Sequence, residues 1–158
     1  MASLVYMIEE EKLAHDLYVE FGDAWDLQIF SHISTAETQH ADAVKGLLDA
    51  YGVEDPTAGM DAGAFVDPEL QGLYDTLLAQ GLTSSTAALE AAALVEETDI
   101  LDLRKGASDH EAIDQVFDRL ESGSENHLRA FAKNLDRLGV DYAAQLLSSS
   151  DVAGMTGQ

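Results

Sequence analysis

Residues 33–44 read ISTAETQHADAV. At 100° per residue, Ile33, Glu37, His40 and Val44 fall on one face of a helix, continuous with Ile29, Ala36, Leu47 and Tyr51. A carboxylate and an imidazole three residues apart in an apolar stripe are costly to bury. Core partners or a bound group must satisfy them.

Working outward, this helix runs from about Leu27 to Tyr51, ended by Gly52 and by Asp55-Pro56. Before it, LVYMIEEEKLAHDLYVEF (4–21) predicts another helix, stopped by Gly22 and Asp23, with Glu9, Lys12, Asp16 and Glu20 on its solvent side. After it comes a long Gly- and Asp-rich connection, 52–66. A short helix follows over 67–81, with Asp67 as N-cap and Pro68 in its first turn.

TSSTAALEAAALVEETDILDLRKG (83–106) reads as a third long helix, capped by Ser84 or Ser85 and ended by Gly106. A fourth runs from Ser108 to Leu138, with SGS at 122–124 marking a break or a fresh cap. Four long amphipathic helices and no strand pattern predict an all-α protein. The expectation is a four-helix bundle over 1–147, with an extra short helix in the crossover between the second and third long helices. Residues 148–158 read as a flexible C-terminal tail.

Composition agrees with one domain of 158 residues: 46% hydrophobic, with two prolines. Thirty Asp and Glu against eight Lys and Arg give a net charge of −22, which repels nucleic acid and anionic membranes. So acidic a chain also suits a salt-loaded cytoplasm, where self-repulsion is screened within a few ångströms. The absence of cysteine excludes disulfides, thiolate metal sites and Cys nucleophiles. With no membrane-length apolar run and no signal-peptide pattern, the expected location is the cytoplasm.

The same helical-wheel test finds inward polar residues on every long helix. Glu11 lies among Leu4, Met7, Ala14 and Tyr18, with Glu10 nearer the stripe's edge. Glu96 shares the face of Leu89, Ala92, Ala93, Ile100 and Leu103, while Glu97 points away. His127 aligns with Leu120, Phe131 and Leu138. The positions repeat: Glu11 precedes Glu37 by 26 residues, Glu96 precedes Ser124 by 28, and a histidine follows three later each time. The cations Lys12, Lys45, Arg119, Arg129, Lys133 and Arg137 project toward solvent, and Arg104 sits at a helix end. Carboxylates without counter-charge in a core would be strongly disfavoured or protonated. Two divalent ions remove that difficulty: Glu11, Glu37, Glu96 and Asp99 supply four negative charges, and His40 and His127 complete the shells. Carboxylate and imidazole together suit iron, with manganese as the alternative. His15, His32 and His110 read as surface or cap residues.

One Glu, an E-x-x-H, another Glu and a second His-bearing helix resemble the ferritin-like di-iron carboxylate proteins. Glu11-x-x-Ala14-x-x-x-Tyr18, Glu96-x-x-Asp99 and NHLRAF (126–131) look like ligand helices of rubrerythrin's di-iron domain. The longer phrases YMIEEEKLAHDLY, AETQHADAVKGLLDAYGVEDP, VEETDILDL and GSENHLRAF resemble an uncharacterised ferritin-like group, a domain of unknown function, over nearly the whole chain. The resemblance implies a ferritin-like fold, a metal centre of Glu11, Glu37, His40, Glu96, Asp99 and His127, and a homodimer.

The chain departs from the pattern at Ser124, where the resemblance calls for the glutamate of E-x-x-H. Asp99 is the natural compensation, and Glu121, a quarter-turn off the inward face, is a weaker one. The expected function is an oxidase or peroxidase reducing O2 or H2O2, supplied with electrons from outside the chain, with Tyr18 as a hydrogen-bonding neighbour of the ligands or a packed core residue. Ferroxidase activity feeding iron storage, or a non-catalytic metal-stabilised bundle, are the alternatives.

Overall fold

A computed structural model describes residues 2–106 and 110–157. Among these residues there are helices and no strands: α1 (Ala2–Trp25), α2 (Gln28–Tyr51), α3 (Pro68–Gly81), α4 (Ser85–Lys105), α5 (Glu111–Arg137) and α6 (Ser149–Thr156). No described helix is long and apolar enough to cross a membrane. The chain divides into two compact units, Met1–Ala79 and Gln80–Gln158.

In the first unit, α1 packs along α2. Leu4, Leu17, Tyr18 and Phe21 of α1 are fully buried, as are Phe30, Val44 and Leu48 of α2. Phe30 anchors the closed end of the pair, its ring 5.6 Å from Phe21 in an edge contact and 6.3 Å from Tyr18. Gly22 does not stop α1. One mid-helix glycine costs only about 1 kcal/mol, less than this packing returns, and the helix continues to Trp25, where Asp26 turns the chain at φ 51°. α2 ends as its sequence predicts. Gly52 takes a left-handed conformation, and its N–H and that of Val53 return to carbonyls of the last turn.

The connection after α2 corrects the reading of α1's polar side, because it lies over that side instead of leaving it to solvent. Glu9 is buried and accepts the backbone N–H groups of Val66 (2.6 Å) and Asp67 (3.0 Å). Asp16, also buried, accepts from Gly63 N–H (2.9 Å) and pairs with Lys12 (2.5 Å) and His15 (2.9 Å). Burial pushes the Asp16 carboxyl up, but the bonds from His15, Lys12 and Gly63 outweigh it and hold the group below its usual range. Lys12 also donates to the Asp61 carbonyl and lies 4.7 Å from the Phe65 ring centre. Gly63 is required here: its φ is +73°, and a Cβ would fall 2.9 Å from the Tyr74 ring. Asp67 then caps α3 by accepting from Glu69 and Leu70 N–H.

In the second unit α4 packs on α5, and α6 on α5. Ser84 is the N-cap of α4, accepting from Ala87 N–H. Gly106 closes α4 in a right-handed conformation, and a Cβ there would meet the Phe117 ring at 2.6 Å. The predicted start of the next helix, Ser108, lies outside the described residues; α5 begins at Glu111, with Glu111 and Asp114 at its positive end. SGS neither breaks nor restarts α5. The Ser122 and Ser124 hydroxyls approach the carbonyls of Asp118 and Leu120 one turn back, so both serines sit inside a continuous helix.

The segment read as a flexible tail is helical over Ser149–Thr156. Ser148 caps it, Val152 and Met155 are buried, and Arg129 Nε donates to the Met155 carbonyl at 2.6 Å. Two apolar residues three apart are enough to dock a short helix that propensity alone would leave frayed.

Candidate metal centre

In the first unit, Glu11 from α1 and Glu37 from α2 are buried, and the His40 side chain is 15% exposed. His40 lies one helical turn beyond Glu37, which places its Nδ1 2.8 Å from Glu37 Oε2. Packing of the two helices brings the same Nδ1 to 3.3 Å from Glu11 Oε2. Burial by itself would lower the imidazole's pKa. The hydrogen bonds and charges of Glu11 and Glu37 outweigh that and raise it to about 11. The two carboxylates therefore favour the imidazolium form of His40. Tyr18 is fully buried on the same stripe, its ring in the core with Phe30.

The second unit has the same plan with one exchange. Glu96 and Asp99 from α4 are buried, as is Ser124 of α5. His127, one turn beyond Ser124, places Nδ1 3.5 Å from Glu96 Oε2, with its side chain 12% exposed. The Ser124 hydroxyl donates a short hydrogen bond to Asp99 Oδ2. Each helix pair thus carries an imidazole one turn beyond a buried residue, with a buried glutamate of the facing helix near its Nδ1. Glu37, His40 and His127 each offer a ligand atom of the kind that holds a metal ion.

The remaining residues singled out from the sequence lie elsewhere. Glu121 is taken by Arg104, at 2.6 Å, and Glu125 lies 3.5 Å from the same guanidinium. His32 and His110 are exposed, His110 at the N-cap position of α5, and His15 bonds to Asp16.

The helical wheel missed a second class of buried acid. Glu97, expected to point away, is fully buried. It accepts from the backbone N–H groups of Gln145 (3.0 Å), Leu146 (2.6 Å) and Leu147 (2.7 Å) and from the Tyr142 hydroxyl (2.7 Å). Burial and the Glu97 carboxylate both push the Tyr142 hydroxyl up, so it stays a donor. Glu97 fastens residues 142–147 to α4 as Glu9 fastens 66–67 to α1. A single-helix wheel has no signal for this, because the covering segment comes from another part of the chain.

Three comparisons show which proteins this chain is similar to. A protein of Methanocaldococcus jannaschii, Uncharacterized protein MJ0754, is 41% identical over 150 residues, covering 94% of this chain and 81% of its own length. The crystal structure titled hypothetical protein MJ0754 from Methanococcus jannaschii is similar with a TM-score of 0.96 at 38% identity, covering 99% of this chain and 91% of that one. Residues 1–156 match the family described as Uncharacterized protein domain (DUF2202), and the chain belongs to that family.

Proposed function

We propose that this is a dinuclear metal carboxylate protein of ferritin-like type that reduces O2 or H2O2. Glu11, Glu37 and His40 supply one ligand set, and Glu96, Asp99 and His127 the other. The supporting observation is the repeated donor pattern: buried Glu11 and Glu37 beside His40 on one helix pair, and on the other buried Glu96 beside His127 with Asp99 one turn along α4 against Ser124. Four carboxylates balance two divalent cations, and carboxylate with imidazole fits iron first and manganese second. When bound, two such ions supply Lewis acidity and the electrons that reduce an O–O bond.

The chain's own part is to neutralise, exclude and exchange protons. Glu11 and Glu37 hold the His40 proton until a cation replaces it, so loading this half-site releases a proton. The imidazoles, 15% and 12% exposed, leave the ligands reachable by a small oxidant, while the carboxylates beside them are buried. With no cysteine, the chain has no thiolate relay, and electrons come from an external donor or from ferrous iron itself. The acidic surface suits a salt-rich cytoplasm, and a homodimer is the assembly we propose.

Anaerobic Fe²⁺ titration followed by air tests this reading. Two irons per chain and a near-ultraviolet oxo-bridge band are expected, and Glu37→Ala with His40→Ala should remove the band. Bound iron that air leaves ferrous would make the protein a metal-stabilised bundle. No bound metal would end the proposal.

A further inference from the structure

We infer that Asp99, positioned by Ser124, replaces the carboxylate that position 124 lacks, and that the two metal positions are therefore unequal and fill in order. This rests on the metal-binding reading of the site. The observation is an exchange across each helix pair. In the first unit the position three residues after Glu11 is Ala14, and the residue three before His40 is Glu37. In the second, the position three after Glu96 is Asp99, and the residue three before His127 is Ser124. Acid and small residue have traded helices, and each set of four positions keeps two carboxylates.

The contact between Ser124 and Asp99 shows that the exchange is spatial as well as numerical: the Asp99 carboxylate reaches the side chain at 124. A hydroxyl has one hydrogen. The Leu120 carbonyl lies 3.2 Å from the same Oγ, and the nearer, charged Asp99 oxygen is the stronger acceptor and takes the proton. That bond holds the carboxylate in one orientation, and losing it would leave the ligand loose. Aspartate is also one methylene shorter than Glu37, so it has less freedom to follow an ion. The second unit keeps the charge needed for a cation but gives it a poorer and more rigid ligand. The Glu11–Glu37–His40 position fills first, and the Glu96–Asp99–His127 position second.

Co²⁺ and anaerobic Fe²⁺ titrations of the full chain, followed by calorimetry and by the visible Co²⁺ bands, test the order. Two steps are expected, the second weaker by about tenfold or more, the scale on which a neighbouring hydrogen bond alters metal affinity. His127→Ala should remove the weak step and leave the tight one; His40→Ala should do the reverse. Ser124→Ala should weaken the second step by about tenfold and alter its Co²⁺ bands, with the first step unchanged. Asp99→Asn, close to isosteric, should abolish the second step without unfolding the chain. Asp99→Ala combined with Ser124→Glu should restore it and bring the two affinities together.

Equal steps in the wild type, an unchanged second step in Ser124→Ala, or two full steps in Asp99→Asn would overturn the inference while leaving metal binding intact. A wild-type chain that binds neither ion would overturn both.

Discussion

In the unit Met1–Ala79 a glutamate and a histidine share α2, and Glu9 ties the connection before α3 onto α1. In Gln80–Gln158 the acid has moved to α4, a serine faces it from α5, and Glu97 ties residues 145–147 onto α4. Side by side, the units separate two kinds of buried carboxylate. Glu9 and Glu97 accept hydrogen bonds from backbone N–H groups. Glu11, Glu37 and Glu96 meet imidazoles instead. Burial alone does not mark a ligand; the partner does.

The largest test of that separation is Glu97→Ala. It leaves three backbone N–H groups and the Tyr142 hydroxyl without their acceptor, and should cost about 3–4 kcal/mol in urea unfolding. Glu9→Ala, with two donors released, should cost about 2 kcal/mol. Neither change should abolish metal uptake; if either does, the two classes of acid are not distinct.

The second test is pH. His40 is raised from 6.5 to about 11 in the folded, metal-free chain, so its stabilising contribution is complete below pH 6.5 and lost as pH rises through about 11. Asp16 is lowered, so its contribution is present above pH 3.8 and lost as pH falls through its folded value. Thermal melts should therefore decline toward both ends, with His40→Gln flattening the alkaline limb and Asp16→Asn the acid one. On the proposed reading, metal affinity at His40 should rise with pH, because the ion would compete with that proton.

Glycines sharpen the comparison at smaller scale. Gly63→Ala meets both a left-handed backbone and the Tyr74 ring, and should cost about 2–3 kcal/mol. Gly139→Ala has the same backbone at φ +77° but open space around it, and should cost about 1 kcal/mol. Gly22→Ala changes sign. Its Cβ would sit 3.5 Å from Phe30 Cβ, an ordinary contact, so removing a mid-helix glycine should stabilise by about 0.5–1 kcal/mol. Chemical denaturation of the three variants ranks them.

Helix positions were legible because they depend on periodicity and local punctuation. Ser84 and Asp67 cap as their spacing predicts, and Gly52 ends α2 where the apolar stripe stops. The inward residues Glu11, Glu37, Glu96 and Ser124 were legible for the same reason, since one helix face is a property of one segment. Where local signals were weak, packing overrode them: Gly22 and SGS both sit inside helices, and the tail docks as α6.

What the amino-acid order determined by itself is the all-helical character, the four long amphipathic segments and the paired pattern of acid and histidine. Only the tertiary structure decided which acids meet an imidazole, which meet backbone N–H groups, and that Asp99 reaches Ser124. The physical reason is range. Helical periodicity and capping act within a few residues, whereas the partners that reach Glu9, Glu11, Glu96, Glu97 and Asp99 across the fold lie 25 to 58 positions away and meet them only once the chain has folded back.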